Sequence, residues 1–202
     1  MTPEEFAQLL TLGHETHGIE FKGPCARTDK PQFAKVVRAV LGMANRRDGG
    51  KVVIGVSEEA GNKLELVGLS QQQLNTWAHD GVAGVVAGYA DPFVTLVTEH
   101  IEYCGGKFVV LTVAEFEEVP VLCKKAYPDV LNPGACYVRR RGSPGTSEVP
   151  TQAEMRDLLE LATEKGVRKF FQQIHRAGID LAGVQVPPDD AQLFDQQRGD
   201  FR

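Results

Sequence analysis

The sequence predicts an α+β domain: a mixed, largely antiparallel sheet with helices packed on it. Three observations predict it. Phe33, Val36, Val37, Val40, Leu41 and Ala44 recur at helical spacing between two segments of strand character. The β-rich runs FVTLVTEHIEY and KFVVLTVAEF flank Gly105-Gly106 as a hairpin. Helices and strands are interspersed, and neighbouring strands are often joined by tight turns. A doubly wound parallel sheet would need crossover helices instead.

Taken in order, the chain opens as a helix. Thr2 is its N-cap, Pro3 suits the first helical position, Glu5 completes a capping box, and Gly13 is a natural stop. Residues 19–22 read as a short strand. Alternation turns Ile19 and Phe21 one way and Glu20 and Lys22 the other. Asp29 caps the central helix, with Pro31 in its first turn, and the helix should end near Asn45. After Asp48-Gly49-Gly50, the apolar, β-branched run KVVIGVS reads as a buried strand and KLELVGL as its return.

Ser70 caps a helix directed towards Tyr89, weakened by Gly81 and Gly84, with a break expected near residues 79–81. PVLCKKA and ACYVRRR are two further short strands separated by loop. Thr151 caps the last helix, with Glu154 as its capping-box partner, and KFFQQIHRAGI continues it past Gly166. The expected organisation is one domain over residues 1–165, a helical extension over 166–183 and a flexible polar tail over 184–202.

The bulk numbers narrow the function classes. With 202 residues and 42% apolar content, one domain can bury a full core. No apolar stretch approaches the roughly 20 residues of a membrane-spanning helix. The acidic start MTPEEFAQLL is unlike a secretory signal, so the expectation is a cytoplasmic protein with no membrane partner. Cys25, Cys104, Cys123 and Cys136 have no C-x-x-C spacing, so reduced thiols are expected rather than zinc. The net charge of −5 leaves nucleic-acid binding to local patches, because most of the surface would repel a phosphate backbone.

Several residues could carry chemistry. Glu15 and Glu20 are five apart, and Glu20 shares a strand face with Lys22. Glu58 ends the KVVIGVS strand; if that strand lies beside residues 19–22, three carboxylates can meet. Converging carboxylates hold the hard divalent cation that a hydrolytic nuclease needs to activate water and neutralise phosphate. The same acids read equally as solvated surface groups, and Lys22 as the partner of one of them. Gly49 and Gly50 suit a tight turn more than a phosphate cradle, and DGGK is not a Walker A loop. His14 and His17 flank Glu15 in what reads as an exposed loop. Basic candidates for phosphate contact are Arg46, Arg47, Lys51, Lys124, Lys125 and the run Arg139, Arg140 and Arg141. On a strand, Arg139 and Arg141 would share a face. Tyr137 is the aromatic nearest that run, with core packing the stronger reading.

Three segments in order, ETHGIEFKGP, GMANRRDGGKVVIGVSEE and YVRRRGSPGTSEVPTQAEMRDLL, resemble the Schlafen AlbA_2 domain over residues 10–163. That family shows E-x-x-x-x-E-F-K, then A-N-T-x-G-G-x-x-x-x-G-V-x-D, then Y-x-R-x-G-S before a final helix. Here the Asp is Glu58, and charge stands in place of the Thr. The resemblance implies different roles by branch. Many bacterial members are described only as DNA-binding or regulatory domains. Eukaryotic Schlafen nucleases cut tRNA and rRNA with three carboxylates, which correspond here to Glu15, Glu20 and Glu58.

The leading expectation is therefore a metal-dependent endoribonuclease acting on structured, tRNA-like RNA. Mg²⁺ or Mn²⁺ would sit on Glu15, Glu20 and Glu58, Lys22 would stabilise the attacked phosphate, and RNA is favoured over DNA. A homodimer is expected by analogy with the paired lobes of the eukaryotic enzymes. The alternatives are a non-catalytic DNA- or RNA-binding regulatory module and a protein-interaction or assembly domain.

Overall fold

The computed structural model of the protein describes residues 1–11, 18–59, 63–140 and 145–178. Along the chain the described elements are α1 (Pro3–Thr11), β1 (Ile19–Lys22), α2 (Lys30–Ala44), β2 (Gly50–Ile54), β3 (Val56–Glu59) and β4 (Lys63–Leu66). There follow α3 (Gln71–Leu74), α4 (His79–Ala87), β5 (Ala90–Asp91), β6 (Leu96–Tyr103), β7 (Gly106–Val113), β8 (Leu122–Cys123), β9 (Tyr137–Arg139), β10 (Thr146–Glu148) and α5 (Gln152–Arg176). The fold is α+β with largely antiparallel sheets, as the pattern of the sequence predicts.

The main sheet has the order β1-β2-β7-β6. Its inner strands are the chain's most apolar segments: Val52, Val53, Ile54, Val109, Val110 and Leu111 are fully buried. β1 runs parallel to β2, and the other two pairings are antiparallel. The β6–β7 hairpin turns through Cys104 and Gly105, one residue earlier than the Gly-Gly pair suggests, with Gly106 already inside β7. Cys104 and Gly105 have φ of 49° and 76°, the sign that a two-residue hairpin turn matching strand twist requires at both positions.

Strand alternation divides the sheet into two faces. Ile19, Phe21, Val53, Val110, Phe108 and Ile101 form one core with Phe6 of α1. The Phe6 ring lies 5.1 Å from that of Phe108 and 5.6 Å from that of Tyr103. Thr2 and Glu5 make the reciprocal capping box that starts α1. Glu20, Lys22, Val52 and Ile54 point to the opposite face, against α2. Asp29 caps α2 by accepting from the Gln32 N–H, and Val36, Val37, Val40, Leu41 and Met43 are buried along it. Each such aliphatic side chain contributes about 1.5–3 kcal/mol, so this helix anchors the layer over Glu20.

Three smaller antiparallel pairs surround the sheet: β3–β4, β5–β8 and β9–β10. The helix expected from Ser70 is two helices, α3 and α4. Between them Trp77 turns inward, fully buried, donating its indole N–H to the Cys25 carbonyl at 2.9 Å. A buried indole needs that partner, and the chain leaves helical geometry to supply it. The final helix passes through Gly166 as one piece. Residues Met1–Leu159 form one compact unit and Glu160–Arg202 a second. Within the second, Arg168 pairs with Glu164 one turn earlier at 2.9 Å. The expected tail over 184–202 lies outside the described residues. Among the described residues no helix is long and apolar enough to cross a membrane.

Candidate functional site

β1 is an edge strand, so Glu20 and Lys22 sit where the sheet gives way to α2 and the β9–β10 hairpin. Glu20 is 5% exposed. A carboxylate at that depth must be paired. Lys22 Nζ ion-pairs with its Oε1, while Arg139 Nη1 ion-pairs with Oε2. Thr146 Oγ1 also donates to Oε2, at 3.0 Å. Arg139 is held in turn by the Ile19 carbonyl, which accepts from Nη2 at 3.1 Å. Its side chain is 1% exposed, whereas that of Lys22 is 26% exposed and forms the mouth of the cluster.

Gly42 makes this assembly fit. A Cβ there would stand 2.5 Å from Thr146 Cγ2, so only glycine lets β10 come this close to α2. Thr146 and Gly42 escape a search for charged motifs. The signal is present in the quoted GMANRRDGG and GTSE segments, as a small residue on a buried helix and a hydroxyl on a strand.

β2 lies directly alongside β1 and parallel to it, which meets the condition set for the KVVIGVS strand. Glu58 lies beyond the end of β2, in β3, which pairs with β4. Gly55 has φ of 106° and interrupts the KVVIGVS run between β2 and β3. Across that break the alternation shifts, because Val53 and Val56 both join the Phe6 core. Ser57 therefore turns towards Gly23 at the end of β1, where a Cβ on Gly23 would lie 3.2 Å from its hydroxyl. Glu58, exposed, stands across from Leu64, which packs against the Phe6 core. Glu15, His14, His17 and Arg141 lie outside the described residues. Among the described residues no three His, Cys, Asp or Glu side chains converge. Among the described residues, the Glu20 oxygens are shared by two cations and a hydroxyl, and Glu20 is the carboxylate there that could hold a divalent cation.

The A-N-R-R-D-G-G stretch is structural. Asn45 is 6% exposed. Its amide donates to the carbonyls of Val121 and Tyr137 at 2.8 and 2.9 Å and accepts from the Val121 N–H at 2.7 Å. Gly49 has φ of 61°, and a Cβ there would lie 2.0 Å from the Val113 carbonyl oxygen, so the turn needs glycine. Arg46 wraps that turn, donating to the Gly49 carbonyl at 2.7 Å and to the Arg47 carbonyl at 2.9 Å.

The remaining basic candidates separate by burial. Lys51 lies on the α1 side of the sheet and donates to Thr112 at 3.0 Å. The expectation that Arg139 and Arg141 offer successive phosphate contacts meets a guanidinium buried on Glu20. Arg47 and Arg140 are exposed, as are Lys124 and Lys125. Lys125 Nζ sits 5.4 Å from the centroid of the Tyr89 ring. Tyr137 is core, 3% exposed; its hydroxyl accepts from the Asn132 N–H at 2.9 Å and donates to the Val130 carbonyl at 3.3 Å. All four cysteines are free. Burial pushes the thiols of Cys25 and Cys136 up to about 11, which keeps them protonated at neutral pH.

The Schlafen, AlbA_2 family model matches residues 15–146, about two thirds of the chain. The chain belongs to the Schlafen AlbA_2 family. Membership points to a nucleic-acid-related role. Comparison with curated proteins gives no match. Among solved structures, the N-terminal domain of a RecG-related protein from Nitrosomonas europaea is similar at a TM-score of 0.47 and 21% identity, covering 75% of this chain and 96% of that one. The DIP2311 protein from Corynebacterium diphtheriae is similar at a TM-score of 0.47 and 15% identity, covering 72% of this chain. This AlbA_2 chain spans about a quarter of that protein, 26% of its length.

Proposed function

We propose that this AlbA_2 domain binds nucleic acid without cutting it, RNA in preference to DNA. One observation carries the choice over cleavage: both oxygens of Glu20 are occupied by Lys22 and Arg139, so the carboxylate is neutralised from within. The cluster then fixes the hairpin that bears Arg139 and leaves one partly exposed ammonium, Lys22, at its edge. A cytoplasmic location and self-association as a homodimer belong to the same proposal. Sedimentation velocity tests the latter.

A second reading is cleavage of structured RNA with Mg²⁺ or Mn²⁺. It is favoured by the adjacency of Glu20 and Lys22 on one face of an edge strand. It would use Glu20 together with Glu15 and Glu58, with Lys22 beside the attacked phosphate.

One experiment separates the readings. Total tRNA is incubated with the protein, in EDTA or in Mn²⁺, at 50 and 200 mM salt, beside Glu20→Gln. Binding is read by gel shift and integrity on a denaturing gel. Binding in EDTA that weakens with salt, with intact RNA throughout, is the expected result. Fragments that need Mn²⁺ and vanish in Glu20→Gln would establish the nuclease. Failure to bind at 50 mM salt would instead favour a protein-interaction domain.

A further inference from the structure

We propose that the outer face of the β5–β8 pair is a docking site for single-stranded nucleic acid. Tyr89 and Phe93 stack bases there, and Lys124 and Lys125 hold the flanking phosphates. The inference rests on the nucleic-acid-binding reading above and specifies its surface and its ligand.

The register builds the face. Ala90 pairs with Cys123 and Asp91 with Leu122. One step further, Lys124 donates its backbone N–H to the Tyr89 carbonyl at 2.8 Å. Ala90 and Cys123 are 1% exposed and point inward. Alternation therefore turns Tyr89, Asp91, Leu122 and Lys124 outward together. Leu122 is 42% exposed, and Lys124 and Asp91 are exposed. Lys125 lies against the Tyr89 ring. Phe93, 68% exposed, is the most exposed large apolar side chain among the described residues. Four residues from Tyr89, it lies within about 14 Å of it along the chain.

The chemistry selects the ligand. Aromatic rings beside lysines suit bases with an open π-face next to their own phosphates. A duplex hides those faces in its stack. Two lysines are also too few to hold a long duplex on a chain of net charge −5. Asp91 repels phosphate, so the backbone runs on the Lys124–Lys125 side and the bases lie towards the rings. Of the other basic candidates, Arg46 grips its own turn, Lys51 donates to Thr112 of its own sheet and Arg139 is buried on Glu20.

The test is fluorescence anisotropy with labelled eight-nucleotide oligouridylate, its deoxythymidylate counterpart and the same RNA annealed to its complement. The wild-type chain is compared with Lys124→Gln/Lys125→Gln and with Phe93→Ser, both at exposed positions that leave the fold unchanged by circular dichroism. Single strands should bind more tightly than the duplex, with oligouridylate the tighter of the two. Phe93→Ser should weaken binding about 5-fold or more, the lower end of one base stack. The lysine pair should flatten the slope of log K against log salt by about 1.4, two phosphates at about 0.7 each. Wild-type affinity in both variants, or equal affinity for the duplex, overturns the site while leaving the nucleic-acid reading intact. No binding by the wild-type chain at low salt overturns both.

Discussion

The Glu20 cluster and the β5–β8 face carry the same kinds of side chain to opposite ends of the burial scale. In the first, Arg139 and Lys22 close on a carboxylate under α2, and the Arg139 side chain is 1% exposed. In the second, Lys124 and Lys125 are exposed, and the Lys125 ammonium lies over the Tyr89 ring. Both lie within segments that a charge count marks as basic. Burial, not charge, separates them. A cation under the helix is committed to the fold, because removing its partner strands an ion. A cation on an outer pair can exchange water for phosphate at little cost to the fold.

The contrast breaks most clearly at Arg139. Arg139→Met removes the guanidinium and keeps the bulk, leaving buried Glu20 with only Lys22 and the Thr146 hydroxyl. Loss of one partner of a buried pair costs about 3–5 kcal/mol. Urea unfolding should show that loss as a lower midpoint with an unchanged m-value. Lys124→Gln, fully on the outside, should stay within about 0.5 kcal/mol of wild type in the same assay. A small loss at Arg139 would mean that the cluster is not what holds the β9–β10 hairpin.

Gly42→Ala sharpens the same point without touching a charge. Its methyl would meet Thr146 Cγ2 at 2.5 Å, so β10 must retreat from α2. Overpacking of this kind costs about 1–3 kcal/mol. In a double-mutant cycle with Thr146→Ser, which removes the clashing methyl and keeps the hydroxyl, the two losses should fall short of additive. Additive losses would show that Gly42 matters for some reason other than the approach of Thr146.

How much of this was legible in the sequence follows from how far apart the partners are. The α2 stripe and the Thr2/Glu5 capping box are local, set by spacings within a few residues, and both are found where the pattern puts them. The face shared by Glu20 and Lys22 follows from alternation alone. Arg139 reaches Glu20 across 119 positions, so no local pattern reveals that the arginine run points one member inward. A break inside a strand is subtler. The KVVIGVS run reads as one strand, yet Gly55, free to adopt φ of 106°, shifts the alternation and turns Ser57 to the β1 side. The pairing of Tyr89 with Lys124 comes from two-residue strands, too short for any periodicity to register.

Lys22 is the member in which the two regions meet, because it ion-pairs like the buried cluster but is 26% exposed like an outer residue. Lys22→Met should therefore fall between them. Arg139 and Thr146 still hold Oε2 of Glu20, and water can reach Oε1 through the space that the ammonium vacates, so no fully stranded ion results. The expected loss is about 1 kcal/mol, at the upper end for an ion pair open to solvent. It should shrink as salt rises from 0.05 to about 1 M, where the screening length falls to about 3 Å. The Arg139→Met loss should hold nearly constant over the same range, because that pair is closed to ions. Urea midpoints of both variants measured across the salt series decide it: a Lys22→Met loss that ignores salt would class Lys22 with the interior, and would remove the one cation of the cluster that is offered to an approaching phosphate.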